Sequence, residues 1–174
     1  MYLFDNFIES LRNDPLTVIM ILISYTSSAA TFITICLVSF LLIKDKKIPT
    51  LMTLNLILVL LVNLIAKNII QRPRPEFIII TENGFSFPSG HSMVSTGFYG
   101  YIMYLIYKNV KPMWKRNILC LLLLLLIIAI CFSRMYLGAH YFSDVFGGFM
   151  LSTFYLMLFI TYSPKLYDKI FKKK

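Results

Sequence analysis

Apolar residues form five long runs along the chain, and short polar or proline-containing segments separate these runs. The runs extend over Leu16–Ile43, Thr50–Ile70, His91–Tyr107, Asn117–Phe132 and about Tyr141–Tyr162. A helix that crosses the hydrocarbon core of a bilayer needs about 20 apolar residues, with a working range of about 17–25. The pattern therefore predicts an all-α, polytopic membrane helix bundle of about five transmembrane helices, in a single domain over residues 1–174.

Polar residues and prolines refine the ends of these helices. Proline marks every boundary, because all seven prolines fall between the apolar runs and none lies inside one. The polar stretch 24–28 indicates a bend in the long first run, and the short fourth run needs residues 133–136 to reach spanning length. Residues 1–14 carry apolar side chains at helical spacing, which predicts an N-terminal helix that lies in the membrane interface.

Composition excludes a water-soluble enzyme. Hydrophobic residues make up 58% of the chain and charged residues only 14%, against about 45–50% and about 25% in soluble domains. The net charge of +9 raises the question of a nucleic-acid partner. The basic residues lie between the apolar runs rather than along one soluble face, so we expect no nucleic acid and a membrane location instead.

Lysine and arginine also predict the orientation in the membrane. Five spans would place residues 44–49, 108–116 and the C-terminal tail on one side, which then carries 12 of the 17 basic residues. The positive-inside rule assigns that side to the cytoplasm. We therefore expect a multi-pass protein of the inner or plasma membrane, with residues 71–90 and 133–140 on the extracytoplasmic side.

The chain has two histidines, and both lie on the predicted outer side at the start of an apolar run. His91 follows the sequence Pro-Ser-Gly, where the N-terminus of a helix would offer unpaired N–H groups to an anion. Asp144 follows His140 by four residues, so both side chains share a helix face, and a carboxylate there would fix the tautomer of the imidazole. The same side carries five cations, and the four expected around the histidines are Lys67, Arg72, Arg74 and Arg134. Such groups beside a helix N-terminus form a phosphate receptor.

Three blocks of this sequence resemble the signature of the type 2 phosphatidic acid phosphatase superfamily, the lipid phosphate phosphatases. The blocks are Lys67 followed after six residues by Arg74-Pro75; Pro88-Ser89-Gly90-His91; and Ser133-Arg134, five residues, His140, three residues, Asp144. Eleven positions match in order and spacing, each by chance roughly one time in twenty on average composition. The match covers about residues 50–162, and the first 49 residues carry no motif.

The resemblance implies a helical core and a metal-independent phosphatase that uses no cofactor. In the family pattern His140 would be the nucleophile that forms a phosphohistidine, Asp144 would orient it, and His91 would protonate the leaving oxygen. The residues that would hold the phosphoryl oxygens are Lys67, Arg74, Arg134, Ser89, the Gly90 amide and, with less support, Ser133. Larger members have six spans, so we expect the interfacial N-terminal helix to stand in place of a first span.

Some of these residues also have ordinary structural interpretations. Lys67, near the end of a span, could extend to the interface, and Ser133 could be an ordinary hydroxyl at a helix end. Arg72 lies outside the family pattern as we read it, and it either solvates its loop, binds lipid headgroups or contacts substrate. Glu76 and Glu82 are interpreted as loop acids, which leaves no carboxylate cluster for a magnesium ion.

Two classes of function stay open at this point: an outward-facing lipid phosphatase, and a non-catalytic lipid-phosphate binder or transporter. The complete set of His140, Asp144 and His91 favours the enzyme, because binding alone needs cations but no nucleophile. A phosphatase of soluble phosphate esters or a haloperoxidase could share the motifs, but the short loops 76–87 and 135–139 leave little room for a polar pocket.

The expected substrate is therefore a compact phosphate or diphosphate on a long-chain lipid. The resemblance suggests undecaprenyl diphosphate, phosphatidylglycerol phosphate or phosphatidic acid. The oligomeric state is left open by the sequence.

Overall fold

A computed structural model describes residues 2–76 and 79–171 of the chain. This described part folds into seven α-helices and contains no β-strand. The helices are α1 (Tyr2–Ser10), α2 (Asp14–Tyr25), α3 (Ala29–Leu42), α4 (Lys47–Ile70), α5 (Gly90–Asn109), α6 (Met113–Tyr136) and α7 (Phe142–Phe171). The predicted all-helical bundle is confirmed.

Three of the described helices, α4, α6 and α7, are long and apolar enough to cross a membrane. Helices α2 and α3 together would make a fourth span, broken by a bend of 43°. Length and composition thus support three or four spans. The 20-residue helix α5 carries more polar side chains and lies in the middle of the bundle, so a fifth span stays a prediction.

The bend between α2 and α3 lies where the polar stretch predicted it. Helix α2 ends at Tyr25, and the Ser28 side chain caps α3 by accepting a hydrogen bond from the Thr31 amide (3.2 Å). The Tyr99 hydroxyl of α5 donates to the Thr26 carbonyl, which the break leaves accessible. The bend is therefore stabilised both by its own hydroxyls and by the central helix.

Two helix ends differ from the prediction that proline marks every boundary. Helix α7 continues through Pro164 to Phe171, and Pro49 lies inside the first turn of α4. A proline in the first turn removes only an N–H that has no helical partner. Pro164 removes a single backbone hydrogen bond near the end of a 30-residue helix, which the remaining bonds tolerate. The extension of α6 through residues 133–136 is confirmed.

Close packing and polar contacts between helices hold the bundle around α5. A Cβ at Gly97 would lie 2.9 Å from Val59 Cγ2, so only glycine lets α4 approach this closely. Asn55 of α4 donates to the Gly97 carbonyl (2.9 Å), and Ser152 of α7 donates to the Met93 carbonyl (2.6 Å). Such bonds matter in lipid, where the hydrophobic effect does not draw helices together.

The N-terminal helix α1 packs against the end of α6. Ile8 is buried with Tyr136 and Leu137, and the Arg12 side chain donates to the Tyr136 carbonyl (2.9 Å). The Asp5 carboxylate accepts a hydrogen bond from the Phe142 amide (3.1 Å). The helix is present as predicted, although the side chains of residues 1–4 lie outside the described part. Its position in a membrane interface stays a prediction.

The two ends of the bundle differ in charge. Lys47, at the start of α4, forms an ion pair with Asp168 near the end of α7 (2.7 Å), so these termini meet at the lysine-rich end. The basic residues 172–174 lie outside the described part. The segments 71–76, 79–89 and 137–141 meet at the opposite end, where they bring the candidate catalytic residues together.

Candidate active site

A cavity of about 360 Å³ lies between α3, α4 and α5 at this second end. Its polar half is lined by Lys67, Arg74, Glu82, Asn83, Gly90, His91 and His140. Its apolar half is lined by Ala29, Phe32, Ile33, Leu56, Leu60 and Val94. Ile33 and Leu60 are also about half exposed on the outer surface, at 53% and 48%. The apolar half therefore reaches the lipid-facing side of the bundle between α3 and α4.

The N-terminus of α5 forms one wall of the polar half. Gly90 and His91 are the first two residues of this helix, and the fully buried Ser89 is its N-cap. The Ser89 hydroxyl accepts from the Ser92 hydroxyl (3.0 Å) and, at 3.4 Å, from the Ser92 amide. Gly90 and His91 thus face the cavity, whereas the Ser89 side chain caps the helix. The free N–H groups of this helix end favour an anion in the cavity.

His140 and Asp144 lie side by side, with Ser86 bridging them. The distance from His140 Nδ1 to Asp144 Oδ2 is 3.8 Å, which is too long for a direct hydrogen bond. The Ser86 hydroxyl donates to Asp144 Oδ2 and lies 3.4 Å from His140 Nδ1. The Tyr141 amide also donates to Asp144 Oδ2 (3.0 Å). The Asp144 carboxylate therefore lies on the Nδ1 side of His140, as expected. Ser86, which the motifs do not include, bridges the two side chains.

Arg72 binds the other oxygen of this carboxylate. Its Nη1 donates to Asp144 Oδ1 (2.6 Å) and to the Ser143 hydroxyl (2.6 Å). The guanidinium also lies 4.3 Å from the centre of the Tyr141 ring. The idea that Arg72 only solvates its loop or binds headgroups is therefore wrong, because the side chain is held by the fully buried Asp144.

Arg74 is the cation nearest the other face of the His140 ring. Its Nη1 donates to the Ala139 carbonyl (3.0 Å) and lies 3.4 Å from His140 Nε2. Its Nε and Nη2 donate to the carbonyls of Gly84 (3.0 Å) and Asn83 (2.9 Å). Backbone oxygens on both sides thus hold the guanidinium against His140.

Lys67 lies in the last turn of α4 and also lines the cavity. Its ammonium group donates to the Phe85 carbonyl, so the side chain turns toward the loop rather than extending along the bilayer surface. The structure therefore does not support the alternative that Lys67 merely extends to the membrane interface.

Arg134 is buried, with 1% of its surface exposed, and it pairs with Glu82. A second cavity of about 220 Å³ contains Arg134, and Glu82 and His91 line both cavities. Arg134, a predicted phosphate-binding cation, does not line the larger cavity, whereas its partner Glu82 does. Glu82 lies in a loop, as predicted, but its pairing with the buried Arg134 was not predicted.

Ser133, like the helix cap Ser89, is a predicted site residue whose side chain the structure leaves apart from the cavities. It is fully buried in α6, and its hydroxyl donates to the Ile130 carbonyl of its own helix (2.7 Å). It lines neither of the two cavities described above. The ordinary interpretation, a hydroxyl near a helix end, fits this geometry.

Comparison with known proteins identifies the family of the chain. A profile of the PAP2 superfamily matches residues 48–168. The chain belongs to the PAP2 superfamily. The resemblance that the three sequence blocks indicated is therefore confirmed.

This PAP2 chain is similar to a named protein and to two solved structures. It is 34% identical over 116 residues to phosphatidylglycerophosphatase B of Bacillus subtilis (strain 168), a match that covers 66% of this chain and 56% of that protein. The crystal structure of a transmembrane PAP2 type phosphatidylglycerolphosphate phosphatase from Bacillus subtilis matches with a TM-score of 0.84 and 26% identity, over 92% of this chain and 83% of that one. LpxE of Aquifex aeolicus shares the fold, with a TM-score of 0.75 and 20% identity, over 91% and 93% of the two chains.

Burial and charge set the protonation states in this PAP2 site. Burial lowers the pKa of His140 to about 4; the Asp144 carboxylate opposes this effect, and Arg74, Arg134 and Lys67 add to it. The imidazole is therefore neutral at neutral pH. Burial alone would raise the pKa of Glu82, but the Arg134 guanidinium outweighs it and holds that pKa below its usual value. Glu82 is therefore ionised.

Ser86 and Glu82 are the two residues that sequence reasoning missed in this PAP2 site. Both lie in the segment between α4 and α5, which has no helical periodicity. The only available signal was position, because both residues fall between the first two motif blocks. That segment must pass close to both blocks, which brings its side chains near the cavity.

Proposed function

We propose that this PAP2 protein is a metal-independent lipid phosphatase that acts through a phosphohistidine at His140. The observation that carries the proposal is the cavity itself, which joins a histidine- and cation-lined end to an apolar end open toward the bilayer. A soluble phosphate ester would use only the polar end. A long-chain lipid phosphate matches both ends at once.

The two faces of His140 support its role as nucleophile. Nδ1 faces Ser86 and Asp144, whereas Nε2 lies 3.4 Å from Arg74 and faces the cations. We assign the proton of the neutral ring to Nδ1, since the carboxylate favours it there. The lone pair of Nε2 is then free to attack phosphorus.

The reaction proceeds in two steps that return the histidine to its starting state. Nε2 of His140 forms a bond to phosphorus while the bond from phosphorus to the leaving oxygen breaks; this oxygen is the lipid oxygen of a phosphomonoester or the bridging oxygen of a diphosphate. His91, protonated beside the bound phosphate dianion, donates its proton to that oxygen. Water then attacks the phosphohistidine, His91 accepts a proton from the water, and the bond from phosphorus to Nε2 breaks to release phosphate. No oxidant or cofactor is needed for this balance.

Side-chain cations neutralise the developing charge in this proposal. Phosphoryl transfer depends mainly on electrostatic stabilisation of the equatorial oxygens. Arg74 and Lys67 line the cavity directly, and the N–H groups at the start of α5 add to them. We propose that Arg134 joins these cations, and that the reaction proceeds without a metal ion.

The substrates we propose are phosphatidylglycerol phosphate, undecaprenyl diphosphate and phosphatidic acid. The Bacillus subtilis relatives are named for phosphatidylglycerophosphate, which supports the first of these. The segment 137–141 between α6 and α7 is short, which supports a compact headgroup. We propose that the acyl or prenyl tail occupies the space between α3 and α4.

We further propose five spans, with α5 and the bent pair α2–α3 crossing the membrane, and with the active site on the extracytoplasmic side. The lysine-rich end supports this orientation through the positive-inside rule. The protein would then lie in the cell membrane and use a lipid of the outer leaflet.

Phosphate release from purified, detergent-solubilised protein tests the proposal. The assay compares the three lipids with a water-soluble sugar phosphate, and a His140→Asn variant is the matched control. We expect release from at least one lipid, little from the sugar phosphate, and none from the variant. Equal rates on the soluble and the lipid phosphates would contradict lipid access from the bilayer. Binding of the lipids without any phosphate release would favour the non-catalytic alternative.

A further inference from the structure

Glu82 holds two of the cations that the proposed function assigns to phosphate. One carboxylate oxygen, Oε1, pairs with Arg134 Nη2, and the other, Oε2, lies 3.8 Å from Arg74 Nη2. A single planar group with two negatively charged oxygens therefore spans two guanidinium groups. Two oxygens of a phosphate bind arginine pairs in the same way.

The position of this carboxylate matters as much as its contacts. Glu82 and His91 line both cavities, while Arg134 lines only the smaller one and His140 only the larger one. A phosphate beside His140 that also bound Arg134 would take the position at which the Glu82 carboxylate pairs with this guanidinium. The carboxylate and the phosphate therefore compete for one place.

The competition is between like charges. Arg134 holds the pKa of Glu82 below its usual value, although burial opposes this effect, so the carboxylate is ionised at neutral pH. A phosphate that entered with Glu82 in place would lie beside a negative charge in a poorly solvated site. Both anions cannot share Arg134 and Arg74 favourably.

We propose that Glu82 occupies the phosphate site of the free protein, and that the phosphate of the substrate displaces it from Arg134 and Arg74. This inference rests on the proposed function, because it takes the cavity to be a phosphate site. It makes Glu82 a specificity-determining residue. A phosphomonoester dianion carries more charge than a carboxylate and can replace it, whereas a phosphodiester carries a single charge and gains little by replacing it.

This arrangement suits a site that is open to a bilayer. The surrounding phospholipids are phosphodiesters, and they reach the same apolar opening between α3 and α4. Bare arginines would bind these headgroups, and the abundant lipids would then obstruct the site. A resident carboxylate discriminates against them without any additional loop.

A Glu82→Gln variant tests the inference, with Glu76→Gln as the matched control because Glu76 is an exposed acid of the same segment. The readouts are the inhibition constant of inorganic phosphate and the inhibition by phosphatidylglycerol in mixed micelles. We expect Glu82→Gln to bind phosphate at least about tenfold more tightly, which corresponds to about 1.4 kcal/mol. We also expect it to become sensitive to phosphatidylglycerol, while Glu76→Gln behaves like the wild type. If Glu82 merely positioned Arg134, phosphate would bind more weakly, and this result or an unchanged constant would overturn the proposal.

A measurement on the wild-type protein covers the case in which Glu82→Gln does not fold. A water-soluble carbodiimide with an amine labels accessible carboxyl groups, and peptide mass spectrometry reports each site. Sulfate, a dianion that does not react with carbodiimide, should increase the labelling of Glu82 and leave that of Glu76 unchanged. Unchanged or reduced labelling of Glu82 at saturating sulfate would contradict displacement.

The two proposals can fail separately. If no lipid phosphate is hydrolysed, phosphate affinity can still be measured by calorimetry on the same variants, and tighter binding by Glu82→Gln would uphold the displacement. If hydrolysis occurs but the phosphate affinity of Glu82→Gln is not raised, the displacement is wrong and the phosphatase remains.

Discussion

Arg72 and Arg74 are two residues apart in one segment, and the structure predicts that their removal affects different properties of the protein. Arg74 lies 3.4 Å from His140 Nε2 and lines the cavity, so Arg74→Ala should weaken phosphate binding. Arg72 is bound to Asp144 and Ser143, so Arg72→Ala should leave phosphate binding nearly unchanged and impair turnover and stability.

The expected magnitudes of these changes follow from the hydrogen bonds that each arginine makes. A hydrogen bond to a charged group contributes about 1.5–3 kcal/mol, so Arg74→Ala should raise the inhibition constant of phosphate roughly 10- to 150-fold. Arg72→Ala leaves the fully buried Asp144 carboxylate without its 2.6 Å partner. We expect a loss of about 1.5–3 kcal/mol in unfolding free energy, together with a kcat lowered by at least about tenfold.

Product inhibition by phosphate and thermal unfolding in the same detergent measure the two effects. Arg72→Lys is the informative control, because it restores the positive charge and should recover part of kcat and Tm. A large rise in the inhibition constant of phosphate for Arg72→Ala would refute the assignment. An Arg74→Ala variant that binds phosphate like the wild type would refute it equally.

Four further outcomes are expected. His140→Asn should abolish turnover while phosphate still binds, and residual activity above a trace would rule out the covalent route. Because burial lowers the pKa of His140 to about 4 in the free protein, the nucleophile is neutral above that pH. The acid limb that His140 gives to kcat/KM should therefore lie well below 6.5, and an enzyme pKa of 6.5 in that limb would contradict this. Activity should survive EDTA, and rescue of a chelated sample by magnesium would disprove metal independence. A cysteine at the exposed Asn83 should react with an impermeant reagent outside intact cells and one at the exposed Asn109 should not, whereas the reverse pattern would place the site in the cytoplasm.

The helices were largely predictable because apolar runs long enough to span a membrane seldom form any other structure. The bend near residues 26–28 and the extension of α6 to Tyr136 followed from polar residues that interrupt or continue a run. The continuation of α7 through Pro164 was not predictable from the residue type. One missing N–H near a helix end costs little when the helix is long, so α7 continues through the proline although proline usually ends a helix.

The pair His140 and Asp144 was predicted from a spacing of four residues on one helix face. The two side chains do lie side by side, although His140 lies in the segment before α7 and not on the helix. Their partners were not predictable, since Ser86 lies 54 residues from His140, and Glu82 lies 52 residues from Arg134. No periodicity relates a loop residue to a helix so distant in sequence. Such contacts arise only when the segment between α4 and α5 folds over the ends of the other helices.

In a lipid phosphatase, a cavity that is apolar at one end and polar at the other also sorts the products. The dephosphorylated lipid carries fewer negative charges than the substrate, and it would return to the bilayer between α3 and α4. Inorganic phosphate leaves past the exposed Asn83 into water. Because the two products would depart into different phases, their re-encounter beside His140 is disfavoured without any moving part.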